Sequence, residues 1–277
     1  GRGVRLTGAA QVLLAHADAI GVQLERARAD LAAHERGGLG SARVSGFPTG
    51  LSHLLAPAVA RLRATHPGWR ISIVEKETED ALPLLIAGEL DLALVMNSPQ
   101  VPPADHPTVM LHPLLDEPVH IALPAAHPLA ARDVLDLAGD LRTEEWVLTA
   151  EGTACHALAL QACGQAGFQP RASHYVTDFG AVYAVLAAGL GVAMMPHMSV
   201  ASAPEGVVIR PLREPAPRRR LLAAVRRGSG ETPLLRALRE VAGEVSEGTW
   251  RPGTVASAAS SGALPGAVPA VASHSQA

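Results

Sequence analysis

The sequence predicts an α/β protein of two lobes, each an open, mostly parallel sheet, with one long helix in front. Three observations predict it. Small and apolar residues keep an unbroken three-and-four spacing over roughly the first thirty positions. Two successive rounds of short apolar strands alternating with helical segments follow. Each round also carries a polar turn where a strand runs into a helix start, and the two turns are built alike.

The helix comes first. Thr7 is placed as its N-cap, and no proline interrupts the chain from there to His34. Ala10, Leu13, Ala17, Ile20, Leu24, Ala27 and Leu31 form a heptad seam. At about 1.5 Å per residue this helix, expected over 7–36, is roughly 40 Å long. A small lobe cannot bury such a stripe, so the sequence calls for a partner helix, the alternative being a helix packed back on its own protein. Gly37, Gly38 and Gly40 then break it.

The first round has strands at 42–46, 69–74 and 90–96, the last apolar enough to be central, and helices at 51–65 and 79–87, with Pro57 awkward inside the former. Its first strand enters Gly46-Phe47-Pro48-Thr49-Gly50. Unpaired N–H groups at that helix start suit an anion or a carbonyl, and the Thr49 hydroxyl adds a donor; a plain capped turn is the other reading. Neither GxGxxG nor GKS/GKT is present, so this is no nucleotide loop.

The segment 111–118 leads into a strand at 119–123, and Ala125-Ala126-His127-Pro128-Leu129 opens the second round. Strands follow at 145–148, 173–176, 191–195, 207–212 and 219–225, and helices at 154–166, 179–188 and 233–245. Thr149, Glu151, Gly152 and Thr153 form its polar turn, and Asp178 sits as an N-cap. Two such turns can face each other across a cleft outside the strand ends, where open α/β sheets hold ligands.

Composition excludes several functions. The 277 residues carry 23 Lys plus Arg against 26 Asp plus Glu, a net charge of −3 with no excess to draw the chain onto a phosphate backbone. Arginines at 218–220 and 226–227 read as a solvated strand rim. Cys155 and Cys163 lie eight apart, with His156 about 100° off their helical face, which completes no zinc site. The other histidines lack ligand spacing such as HExxH, and no GxSxG occurs, so neither an enzyme nor a cofactor is expected. The weakly polar run 181–196 is too short and too interrupted to span a membrane. The start at Gly1, without a methionine or an export signal, leads to the expectation that residues upstream are missing. From Arg251 onward the Ala, Gly, Ser, Pro and Val composition predicts a disordered tail over 251–277.

The ordered series RGVRLTGAAQVLLAHADAI, VSGFPTG, LLAPAVARLRATHPGWRISIVE, AGELDLALV, PLLDEPVHIALPAAHPLA, AAGLGVAMMP and RRRLLAAVRRG, over residues 1 to about 245, resembles the LysR-type transcriptional regulators. The resemblance implies a cytoplasmic, helix-turn-helix DNA-binding protein that is no enzyme and uses no metal. It implies a linker helix pairing with its counterpart in a homodimer or homotetramer, and a periplasmic-binding-protein-like effector domain. Residues 1–6 would be a remnant of the DNA-binding wing, 42–123 with 210–247 the first lobe, and 124–209 the second. Promoter DNA is then a partner of the full-length protein only, and this polypeptide is expected to dimerise without binding an operator specifically. A transport-type solute-binding protein of the same fold is the alternative, distinguished by the heptad helix.

The same resemblance points to effector contacts at Phe47, Pro48 and Thr49, at Thr149, Glu151, Gly152 and Thr153, and at Met96, Tyr175, Thr177, Asp178 and Met195. The expected ligand bears a carboxylate or an amide, because two helix starts offer N–H groups while these positions include no lysine or arginine. Glu151 speaks against a strongly anionic ligand and is open to an amine or a neighbouring arginine.

Overall fold

The computed structural model describes residues 5–34 and 40–248, so the expectations for residues 1–4, 35–36 and the tail lie outside the described residues. Helix α1 (Gly8–His34) starts where Thr7 Oγ1 accepts the Ala10 N–H at 3.2 Å.

The first lobe holds β1 (Gly40–Gly46), β2 (Trp69–Glu75) and β3 (Leu92–Met96). Between β1 and β2, α2 (Pro48–Gly50) passes through a π turn at Leu51–Leu55 into α3 (Ala56–Thr65), and α4 (Thr78–Ile86) precedes β3. Pro57, awkward in a helix interior, directly follows the π turn, whose wider Ala56 N–H to Leu51 carbonyl spacing replaces the regular ladder that a proline breaks. All five residues of β3 are buried, matching its central place between β1 and the returning strand β9 (Arg218–Arg226). Leu54, Leu55, Leu62 and Leu94 pack on one face of this sheet with Leu238 and Val241, from the last helix. Ala81, Leu85, Val95 and Ala224 pack on the other.

The passage between lobes differs from the sequence expectation. Instead of a strand at 119–123, β4 runs unbroken over Val109–Pro124. It pairs antiparallel with β9 as far as Pro118, then antiparallel with β7 (Ala193–Pro196) from Val119 and with β8 (Val207–Pro211) from His120. Pro113 and Pro118 read as strand breakers, yet Pro113 borders the register shift at 113–115 and Pro118 falls where β4 changes sheets, so neither removes a needed ladder bond. The strands joining the lobes thus give mixed sheets: β1, β2 and β3 are mutually parallel, whereas β4 and β9 run antiparallel to their neighbours.

In the second lobe a 3-10 turn (Pro128–Ala131) and α5 (Leu137–Asp140) lead to β5 (Glu145–Leu148), followed by α6 (Ala154–Gln165), β6 (Arg171–Tyr175), α7 (Phe179–Ala187) and, after β7, α8 (His197–Val200). β5 meets the chain just ahead of β7 through the parallel Trp146–Val192 bridge. Period-two alternation sorts β4 onto two cores: Ile121 and Leu123 pack with Trp146 and Phe168, Ala122 with Tyr183 and Leu186. The chain returns along β9 and ends in α9 (Pro233–Ser246), capped by Thr232 Oγ1 on the Leu235 N–H. The described residues contain no helix long and apolar enough to cross a membrane.

Candidate functional site

A cleft opens between the lobes where the turn at Phe47–Thr49 faces the start of α6. It contains two adjoining hollows of about 430 and 390 Å³, counting space open to solvent. Phe47, Pro48, Thr49, Met96, Thr149, Thr153 and Thr177 are brought together around the second hollow. Thr153 caps α6, accepting the His156 N–H at 3.3 Å, and its hydroxyl lies 3.0 Å from that of Thr149. On the facing side α2 begins at Phe47, whose side chain makes no capping bond, so its first-turn N–H groups lack the usual side-chain acceptor.

Five of the expected residues do not line either hollow. Glu151 and Gly152 are exposed at the outer end of their turn, and Gly152 takes φ +86°, the backbone need that a glycine there answers. Tyr175 is half exposed and stacks on His156. Asp178 caps α7 through the Ala181 N–H at 2.8 Å, and Met195 is buried in the second-lobe core beside Ala193.

The largest departure is Arg219. Read from the sequence as part of a solvated rim, it is 1% exposed and lines both hollows. Its Nε donates to Glu117 Oε1 at 2.7 Å, and its Nη2 donates to Thr49 Oγ1 at 3.2 Å and also pairs with Glu117. Its guanidinium lies 5.3 Å from the centre of the Phe47 ring. The site therefore does hold an arginine, contrary to the expectation. The missed signal is strand parity: residue 219 shares a face with the buried Leu221, Ala223 and Val225, whereas Arg218 and Arg220 point to solvent.

Glu117 and Arg219 stand directly opposite each other on β4 and β9, the strands that join the lobes. Glu117 Oε2 also accepts the Met198 N–H of α8 at 2.8 Å, so one buried pair reaches the second lobe through Met198 and the first through Thr49. Glu77 and Cys155 complete the second hollow. Burial, followed by the nearby Glu79, pushes the Glu77 carboxyl above its ordinary range. Burial likewise pushes the Cys155 thiol up, and its Sγ lies 3.8 Å from Met96 Sδ. Among the described residues no group of three or more His, Cys, Asp or Glu could hold a metal ion.

The model of the LysR substrate binding domain matches residues 35–247. The chain belongs to the LysR family. It is 31% identical over 233 residues to the HTH-type transcriptional regulator ShiR of Corynebacterium glutamicum, covering 83% of this chain and 77% of ShiR. It is 27% identical over 202 residues to the transcriptional dual regulator GltC of Bacillus subtilis, covering 73% of this chain and 65% of GltC. The effector binding domain of QuiR in complex with shikimate shares the fold at 19% identity and a TM-score of 0.64, over 77% of this chain and all of that one. The relatives are named as transcriptional regulators, which favours the LysR-type reading over both the enzyme and the transport-type solute-binding protein.

In this LysR-family chain α1 leaves its heptad seam open. Leu13, Ala17, Ile20, Leu24, Ala27 and Leu31 are all exposed, Leu13 by 69% and Leu24 by 60%. The helix touches its own protein with another side, through Val22, Glu25 and Ala29 against Arg226, Gly228 and Gly230.

Proposed function

We propose that this chain is the sensing part of a cytoplasmic LysR-type regulator, in which a small molecule bearing a carboxylate or an amide binds in the interlobe cleft and sets the position of the lobes. The relaying element is the linker helix, and promoter DNA is read by the winged helix-turn-helix that such regulators carry ahead of it. The observation that carries this reading is the cleft itself, where two helix starts and four threonine hydroxyls converge beside Arg219. The chain changes sheets at Pro118/Val119 outward and between Pro211 and Arg218 on return, and we place the lobe boundaries there. The shikimate held by the QuiR domain is a carboxylate of the expected kind.

The exposed seam of α1 supports a homodimer, further assembled or not into a tetramer, through a second copy of the same helix. A thermal-shift and mass-spectrometric screen of metabolites on the wild-type chain and on Thr49→Ala tests the cleft. A hit loses most of its stabilisation in the variant, and an unchanged shift removes Thr49 from the site. Light scattering on wild type and Leu24→Asp tests the helix: a dimer that the substitution dissociates is expected, and a strictly monomeric wild type overturns the pairing.

A further inference from the structure

Arg219 is engaged on one edge only. Nε and Nη2 are taken by Glu117 and Thr49, while Nη1 is buried without a hydrogen-bond partner on a side chain that lines both hollows. A buried guanidinium N–H without an acceptor is costly, so this edge is poised for an acceptor arriving with a ligand. Burial pushes the pKa of the neighbouring Cys155 thiol up, with the Arg219 guanidinium opposing it, and a thiol is at best a weak acceptor for this edge. Across the same hollow Glu77 presents a carboxyl group.

These two groups define a ligand class. An anion alone meets Glu117, which already balances Arg219, and Glu77, whose carboxyl faces the same space. A molecule that brings an acceptor to Arg219 and a donor to Glu77 satisfies both. Phe47, Met96 and Phe179 wall the remainder and restrict it to a compact ligand. We propose that Arg219 Nη1 anchors the carboxylate of the effector and that Glu77 accepts from a hydroxyl or ammonium on the same molecule, making the effector a small hydroxy- or amino-carboxylic acid. The proposal rests on the reading of the cleft as the effector site.

Its test is calorimetric titration of the wild-type chain with shikimate, lactate and alanine, with their methyl esters, and with benzoate, which has the carboxylate and no donor. Arg219→Lys, which keeps a cation beside Glu117, and Glu77→Gln are titrated alongside, with folding checked by circular dichroism. At least one hydroxy or amino acid is expected to bind about ten-fold or more tightly than its ester, and Arg219→Lys to weaken that acid by about ten-fold. Glu77→Gln is expected to shrink its advantage over benzoate to within about three-fold. An unfolded Arg219→Lys leaves the acid-to-ester ratio and the Glu77→Gln comparison to decide. Esters that bind as tightly as acids, with binding lost in Thr49→Ala, overturn the Arg219 anchor and leave the cleft as the effector site. An acid whose advantage over benzoate survives Glu77→Gln, or a wild type that binds none of these acids, overturns the ligand class, while the regulator reading is judged separately by the Leu24→Asp dimer.

Discussion

Two arginines on β9 sit at opposite ends of one strand and answer opposite needs. Arg219 lies in the cleft with a single carboxylate, Glu117, both 3% exposed or less, and it keeps an N–H without a partner. Arg226 lies under α1 with two carboxylates: Glu25 Oε1 is 3.0 Å from its Nε, an ion-pair distance without hydrogen-bond alignment, and Asp91 Oδ1 is 3.0 Å from its Nη2. Its Nη1 also donates to the carbonyls of Leu85 and Leu90. Each arginine keeps one N–H outside any hydrogen bond, Nη1 of Arg219 and Nε of Arg226, but that of Arg226 faces the Glu25 carboxylate at 3.0 Å whereas Arg219 lines the cleft. Arg226, paired with Glu25 of α1 and with Asp91 just ahead of β3, is a clasp that holds α1 to the first lobe, a role Arg219 does not have. Because β9 pairs with β3 on one side and β4 on the other, its two ends belong to one sheet.

Substitutions at either end of β9 separate the two roles. Arg219→Met leaves Glu117 buried and unpaired, and urea denaturation should show a loss of about 3–5 kcal/mol. Arg219→Met combined with Glu117→Gln should recover much of it, because glutamine still accepts from Met198 without a charge. At the other end, Gly228 has φ +101°, and an added Cβ would stand 2.6 Å from the Val22 carbonyl of α1. Gly228→Ala should cost about 2 kcal/mol, visible as faster hydrogen exchange in α1 with the lobe cores still protected. Glu25→Ala, which leaves Arg226 its Asp91 partner, should cost about 1 kcal/mol by the same measurement. Exchange that quickens equally in the lobes would deny that the clasp is local.

The smallest expected effect lies beside the hinge. His120 Nε2 and His197 Nδ1 are 3.0 Å apart, and burial, then His197, lowers the His120 pKa below its ordinary 6.5. The fold therefore favours the neutral ring. That contribution is complete above about pH 6.5 and is lost as pH falls through the lowered value. The melting temperature of wild type should drop relative to His120→Gln between pH 7.5 and 5.5, and parallel curves would show that the pair carries no linkage.

Much of the fold was legible because its signals are local. The seam of α1, the strand-to-helix turns at Phe47–Thr49 and Thr149–Thr153, and the caps at Thr7 and Asp178 all depend on neighbours within a few residues. The 16-residue β4 was not legible, since Pro113 and Pro118 are tolerated only because of where β9 and β7 happen to pair. Residues 151, 152, 175, 178 and 195 were placed at the cleft by resemblance, whereas their positions are set by an exposed turn, a stacking contact with His156, a helix cap and the second-lobe core. Arg219 hid among three consecutive arginines, although the apolar parity of Leu221, Ala223 and Val225 already marked its face.

By itself the sequence determined the two-lobed α/β class, the long helix with its heptad seam and the family, since periodicity, turn chemistry and ordered motifs act over short stretches of chain. Only the tertiary structure decided which charges are buried. Glu117 and Arg219 are about a hundred residues apart, and their pairing, with the donor it leaves facing the cleft, exists only because β4 and β9 cross between the lobes side by side.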